Sequence, residues 1–271
     1  MKIYTMWEQG LDAAPSMVKR IHDIWVAQEG EENIHFVAGE ESNDLLSDKG
    51  VDPKPLTAQM RADLIRLALL ESYGGTWVDA TLLPSSPLNY WLNEKREPAG
   101  FFAHSNPKID RIVDVWFLSA LPGNTLVSAW HDALFEYFQK PRLSYKQAPK
   151  WDRLKREIRI AIAPASFASD TVARKAKYFP YHIIAYTLDN LLRHDKALAA
   201  QWDMMPKVTG ALAVELKSEC FKTHGKPDPE TLARLFHGFP VHKLNWRAEG
   251  AFDDAIALAE KNVGIVGSNL P

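Results

Sequence analysis

Three charged residues, Asp63, Arg66 and Asp79, are the best candidates for chemistry in this sequence. Carboxylates accept hydrogen bonds or bind a hard divalent cation, and an arginine donates hydrogen bonds to anions. On a helical wheel Asp63 falls inside an apolar stripe with Arg66 at its edge, and the stripe consists of Leu56, Met60, Leu67 and Leu70. Because burying an unpaired carboxylate costs several kcal/mol, Asp63 must contact Arg66, a ligand or a polar cleft.

Each of these residues also has a purely structural interpretation. Asp63 and Arg66 could form an i, i+3 ion pair that holds their helix in register. Asp79 could cap an ordinary turn at the end of a strand. Taken together, the pattern favours a functional site, because perturbed carboxylates gathered at one edge of a sheet are typical of sites.

The local elements explain how these residues would be positioned. Thr57 is a suitable N-cap for a helix carrying Asp63, and Gly74 and Gly75 end that helix. Residues 76–78 then indicate a buried strand, which places Asp79 at its carboxyl end. Open α/β sheets bind their ligands at this end.

The rest of the chain indicates an α/β fold in a single domain over residues 1–271. A strand at residues 2–7, a helix from about residue 15 and a strand at residues 34–38 form a β-α-β opening, which favours a parallel sheet. Further strands are expected at 100–105 and 112–121, and a helix at 125–139. We divide the domain into a core (1–140), a helical addition (150–235) and a closing segment (236–271).

Net charge, apolar runs and cysteine content limit the kinds of partner and the compartment that we expect for this protein. The net charge of −2 gives no reason to expect nucleic acid or an anionic membrane as the main partner. No uninterrupted apolar run approaches the ~20 residues of a membrane helix. Cys220 is the only cysteine, so no intrachain disulfide can form and a reducing compartment is favoured. We expect a cytoplasmic protein without a membrane span, and peripheral attachment to a membrane stays open.

The stretches 61–67 and 73–81 resemble the signature of the capsular polysaccharide synthesis family. That family is related to glycosyltransferases with a sugar-binding Asp-x-Asp region, including fungal mannosyltransferases and large clostridial toxins. Residues 3–7 resemble its first strand, and residues 240–244 followed by Trp246 resemble its closing motif.

This resemblance implies a GT-A-like fold, in which a Rossmann-like mixed sheet with flanking helices holds a nucleotide sugar, most often a UDP-sugar. The implied activity is retaining transfer of a hexose to a glycan or lipid-linked acceptor. The implied roles are base stacking for Trp7, donor contact for Trp77, sugar binding for Asp63 and Arg66, ribose or metal contact for Asp79, and diphosphate contact for His242 and Lys243.

The resemblance also implies a divalent cation, Mn²⁺ or Mg²⁺, with Asp79, Thr81 and His242 as its expected ligands. Thr81 departs from the wider group, which has a second acid at this position. Because a neutral hydroxyl is a much weaker ligand than a carboxylate, the metal dependence stays open. No residue is an obvious nucleophile or base, so we expect catalysis by charge stabilisation on the diphosphate.

Two other functions remain as alternatives. One is a catalytically weak or inactive module that binds a sugar nucleotide or glycan, which the presence of Thr81 motivates. The other is a metal-dependent phosphotransferase or hydrolase that uses Asp79, with Asp114 as the second acid.

Overall fold

The computed structural model describes residues 1–106, 111–140, 143–144, 149–169 and 178–265. The strands are β1 (Ile3–Met6), β2 (Ile34–Val37), β3 (Gly75–Val78), β4 (Leu82–Pro84), β5 (Phe101–Ser105), β6 (Val113–Ala120), β7 (Leu143–Ser144), β8 (Tyr178–Phe179) and β9 (Val241–Lys243). The helices are α1 (Ser16–Glu29), α2 (Gly39–Asp48), α3 (Ala58–Tyr73), α4 (Leu92–Arg96), α5 (Thr125–Phe138), α6 (Lys150–Ile162), α7 (Ile183–His194), α8 (Lys196–Met204), α9 (Glu215–Lys222), α10 (Pro229–Gly238) and α11 (Asp253–Asn262).

The chain forms two compact units, and unit 1 comprises residues 1–39, 77–94 and 209–271. Its strands run in the order β2-β1-β3, with β1 and β2 parallel and joined by the crossover helix α1. Strands β4 and β9 form a separate antiparallel pair. The indole nitrogen of Trp25 in α1 donates to the carbonyl of Leu82 at 2.9 Å, so α1 is fixed to β4 by a buried polar contact.

Unit 2 comprises residues 40–76 and 95–208. Its strands run in the order β3-β6-β5, and β5 pairs antiparallel with β6. Strand β3 contributes its first two residues to unit 2 and its last two to unit 1. The core of unit 2 is aromatic: Trp130 is fully buried, lies edge-on to Phe101 and donates its indole hydrogen to the carbonyl of Ile184 at 2.8 Å.

The predicted mixed α/β class is confirmed, with parallel and antiparallel pairs flanked by helices. The β-α-β opening and the Thr57 cap are as predicted, since the Thr57 hydroxyl accepts from the amide of Met60 at 3.3 Å. The described part of residues 150–235 is mainly helical, and its helices belong partly to unit 2 and partly to unit 1. The single-domain organisation stays a prediction. Within the described ranges, no helix combines the length and apolar character needed to cross a bilayer.

The glycine pair after α3 is required by backbone geometry. Gly74 has φ +66° and ψ −159°, a conformation almost restricted to glycine, and Gly75 has φ +100°. A Cβ atom at Gly74 would lie 2.6 Å from the backbone nitrogen of Pro122. Both the torsion angles and the close approach therefore exclude a side chain at this position.

We predict that Gly74→Ala lowers the free energy of unfolding by about 3 kcal/mol or more, because backbone strain adds to a clash with rigid backbone. Gly123→Ala is the matched control, since Gly123 also has positive φ (+71°) but open space around its Cβ position. The control should cost only about 1 kcal/mol. Equal losses in urea unfolding would contradict the role of the Pro122 contact.

Candidate functional site

Asp79 follows β3 and has both carboxylate oxygens engaged. Its Oδ1 accepts from the indole nitrogen of Trp77 at 3.1 Å, and its Oδ2 accepts from Lys243 Nζ at 2.7 Å. The same ammonium donates to the hydroxyl of Thr81 at 2.7 Å. The Asp79 and Lys243 side chains are 27% and 21% exposed, so this charged cluster is accessible from solvent.

Strand pairing brings these distant residues together. In the antiparallel register of β4 and β9, Leu82 lies opposite Lys243, and the carbonyl of Thr81 accepts from the amide of Leu244 at 3.0 Å. A tight turn precedes β4, in which the amide of Leu82 donates to the carbonyl of Asp79 at 2.8 Å. Lys243 is therefore held beside Asp79 although 164 residues separate them in the chain.

Lys217 in α9 adds a second positive charge near Lys243. Partial burial, and then the charge of Lys243, lower the pKa of the Lys217 ammonium below its ordinary value. An anion bound beside Lys243 would offset the like charge of Lys217. The sequence analysis missed Lys217, because it lies on a helix without a recognisable motif and only the tertiary fold brings it near Lys243.

His242 does not accompany Lys243, because successive side chains of a strand point to opposite faces. Its ring is 1% exposed, stacks on Phe236 with centroids 5.5 Å apart, and donates from Nε2 to the Phe236 carbonyl at 2.9 Å. Burial lowers the pKa of His242 to about 4, so the imidazole is neutral at pH 7. The ring therefore lies on the other face of β9 from Lys243, and contact of His242 with a diphosphate or metal ion stays a prediction.

The two predicted tryptophans lie in different environments. Trp77 is 1% exposed and orients Asp79 through its indole N–H, and its contact with a donor stays a prediction. Trp7 directly follows β1, is half-buried, and contacts Trp246 edge to face at 5.6 Å. Trp246 is 38% exposed and carries the guanidinium of Arg247 over its ring at 4.6 Å. Stacking of Trp7 on a base stays a prediction.

The residues present do not fit a divalent cation. Of the three expected ligands, His242 faces away, Thr81 offers a neutral hydroxyl, and both that hydroxyl and Asp79 Oδ2 already accept hydrogen bonds from the Lys243 ammonium. Across the described part of the chain, no group of three or more His, Cys, Asp or Glu side chains is arranged to hold a metal. The positive charge beside Asp79 is instead supplied by Lys243.

The other predicted pair, Asp63 and Arg66, lies in unit 2. Their side chains are 12% and 5% exposed and form the expected i, i+3 ion pair at 3.1 Å. Arg66 also donates to the carbonyls of Ala62 and, in β6, of Val115. These contacts tie α3 to β6, which supports the structural interpretation of the pair. Sugar binding by Asp63 and Arg66 stays a prediction.

The fold and this cluster define an α/β protein with a charged, partly exposed site at the end of a strand. The chain belongs to the capsular polysaccharide synthesis protein family, whose model matches residues 1–146, so the predicted resemblance is confirmed. The glycosyltransferase afumC of Aspergillus fumigatus is 27% identical in an alignment 152 residues long, and the match covers 48% of this chain and 38% of that protein. Among solved structures, a chain described as PaToxG glycosyltransferase aligns with 98% of this chain and 86% of its own length, at 12% identity and a TM-score of 0.37.

We predict that Asp63→Ala lowers the free energy of unfolding by about 3 kcal/mol or more, because it removes the carboxylate from a buried arginine. The matched control is Glu71→Ala on the same helix, whose partner Lys49 lies 3.6 Å away at a more exposed position. The control should cost less than about 1 kcal/mol. If thermal and urea unfolding gave both variants the same small loss, the pair would not have the structural role described.

His242 should make stability depend on pH. The unfolded chain takes up a proton near the ordinary histidine pKa, whereas the folded protein does so only near pH 4, so stability is lost as pH falls from about 6.5 toward 4. From about pH 7.5 to about pH 5, the wild type should lose about 2 kcal/mol more unfolding free energy than His242→Gln. Urea unfolding at several pH values measures this difference. The two curves should run parallel above about pH 7.5, and parallel curves down to pH 5 would contradict the neutral, buried state.

Proposed function

We propose that the protein is a glycosyltransferase that moves a hexose from a nucleoside diphosphate sugar to a glycan or lipid-linked acceptor in capsule-type polysaccharide synthesis. The family, the name of the Aspergillus relative and the mixed α/β sheet support this activity. The observation that carries the proposal is the Lys243 ammonium, held at 2.7 Å from both Asp79 and Thr81 in a partly exposed position.

The chemistry of such a donor fits this cluster. When the acceptor hydroxyl oxygen bonds to the anomeric carbon, the bond from that carbon to the diphosphate breaks and its electron pair goes to the diphosphate oxygen. The hydroxyl proton passes to the departing diphosphate, in keeping with the absence of an obvious base from the predicted site. Fixed positive charges next to that oxygen stabilise the transition state more than the ground state.

Within this proposal, Lys243 and Lys217 receive the diphosphate, and Asp79 and Thr81 hold Lys243 in place. Trp7 stacks on the base, which we take to be uracil, and a GT-A-like sheet holds the nucleotide. Lys243 supplies the positive charge that a divalent cation would otherwise bring to the same oxygens. We therefore propose that donor binding does not require Mn²⁺ or Mg²⁺.

We predict that UDP and UDP-hexoses bind about equally well with Mn²⁺ and with a chelator, and that Lys243→Met weakens binding about tenfold or more. Titration calorimetry on the full chain measures both effects, with thermal unfolding as a check on folding. Lys222→Met is the matched control, since Lys222 is 73% exposed and lies on the same helix as Lys217. The control should bind UDP as the wild type does.

The outcomes separate the alternatives. No binding of any UDP, GDP or CMP sugar would overturn the glycosyltransferase proposal. Binding that requires Mn²⁺ and ignores Lys243→Met would overturn the role of Lys243 alone. Donor binding without any release of free nucleotide over hours would assign the chain to the binding modules, whereas turnover of a simple phosphate ester without a sugar donor would favour a hydrolase.

A further inference from the structure

Helix α6 presents an apolar face to solvent. Trp151, Leu154, Ile158 and Ile162 follow each other at intervals of three and four residues, so they lie on one side of the helix. Their exposures are 75%, 51%, 54% and 75%. Among the described residues, no other helix carries more than one large exposed hydrophobic side chain. We call these four residues the apolar face of α6.

The opposite side of α6 faces the protein and is largely polar. Arg156 is 8% exposed there, and Asp152 and Arg153 are half-buried. Arg159 fixes the end of the helix by donating to the Ser166 hydroxyl at 3.1 Å. A surface helix ordinarily turns its apolar stripe to the core and its charges to water. The reversed orientation leaves the apolar face uncovered by the part of the chain that the structure describes, and such a face is typical of an interaction surface.

The charges of α6 indicate what covers it. The helix carries five basic and two acidic residues, and the basic ones are Lys150, Arg153, Lys155, Arg156 and Arg159. Lys155 and Arg159 are exposed and follow one side of the apolar face, and Lys150 is exposed on the other side. An apolar face bordered by basic side chains and including a tryptophan is typical of helices that lie in the interface of an anionic membrane.

We propose that α6 attaches the protein to the surface of an anionic phospholipid bilayer, with its apolar face at the boundary between headgroups and acyl chains. The 13 residues of α6 span about 20 Å, too short to cross a hydrocarbon core of about 30 Å. Helix α6 therefore lies in the plane of the surface. A second copy packed on this face would bring the basic rows of two helices together, which disfavours a dimer here. This inference does not depend on the proposed glycosyl transfer.

Co-sedimentation of the full chain with vesicles tests this proposal. Wild-type protein should bind vesicles of phosphatidylcholine mixed with phosphatidylglycerol, bind phosphatidylcholine alone weakly, and dissociate at high salt. Leu154→Glu combined with Ile158→Glu should weaken binding about tenfold or more, because two side chains leave the apolar boundary and two charges are repelled. Met204→Glu is the matched control, since Met204 is an exposed apolar residue (56%) on another helix, α8, and should leave binding unchanged.

A second variant tests the basic border separately. Lys150→Gln combined with Lys155→Gln should reduce binding to the anionic vesicles roughly fivefold for each charge and leave binding to phosphatidylcholine unchanged. Wild-type vesicle binding in both double variants would overturn the proposal. A dimer of the wild-type protein would also overturn it, if light scattering showed that Leu154→Glu with Ile158→Glu converts the dimer to monomers. In that case a second copy of the chain would cover the apolar face of α6. Melting temperatures and UDP binding of the variants, measured without vesicles, separate these outcomes from misfolding and from failure of the donor proposal.

Discussion

The register between β4 and β9 is the constraint on which the candidate site depends. It places Lys243 opposite Leu82, beside Asp79 and Thr81, although these residues come from distant parts of the chain. Because side chains alternate along a strand, a shift by one residue would turn Lys243 into the core and bring His242 to the carboxylate. Burying an ammonium without its partner would cost several kcal/mol, so the charges themselves help to select the observed register.

The same interaction prepares the cluster for an anion. Asp79 is held through both oxygens, by the indole of Trp77 and by Lys243, so its carboxylate cannot rotate freely. Lys243 in turn has two fixed acceptors at 2.7 Å and keeps further donor capacity, because an ammonium has three hydrogens. The Lys243 ammonium is thus fixed in position before any ligand binds. Charges that are already in place need no reorganisation when negative charge develops, which is the condition for electrostatic catalysis.

Local patterns were sufficient to predict the elements around Asp79. The Thr57 cap, the glycine break after α3 and the short strand that follows all depend on neighbouring residues, and all are observed. The resemblance assigns a role to two consecutive residues of β9, whereas strand alternation turns Lys243 toward Asp79 and buries His242 beside Phe236. Lys217 could not be found from the sequence, since its relation to Lys243 exists only in the tertiary fold. The apolar stripe around Asp63 predicted burial, but a stripe alone does not distinguish an ion pair from a binding site.

Helix α6 shows why the net charge of the chain and the periodicity of its apolar residues leave part of the surface unpredicted. The net charge of −2 gave no reason to expect an anionic membrane, yet a single helix carries five basic and two acidic residues. Electrostatic attraction to a surface weakens within a Debye length, about 8 Å at physiological salt, so the charge of the contacting helix matters more than the total. Periodicity identifies an apolar stripe but not its direction. The burial of Arg156 and the exposure of Trp151 and Ile162 show that the stripe points to solvent. An exposed apolar stripe of this kind is typical of an interaction surface.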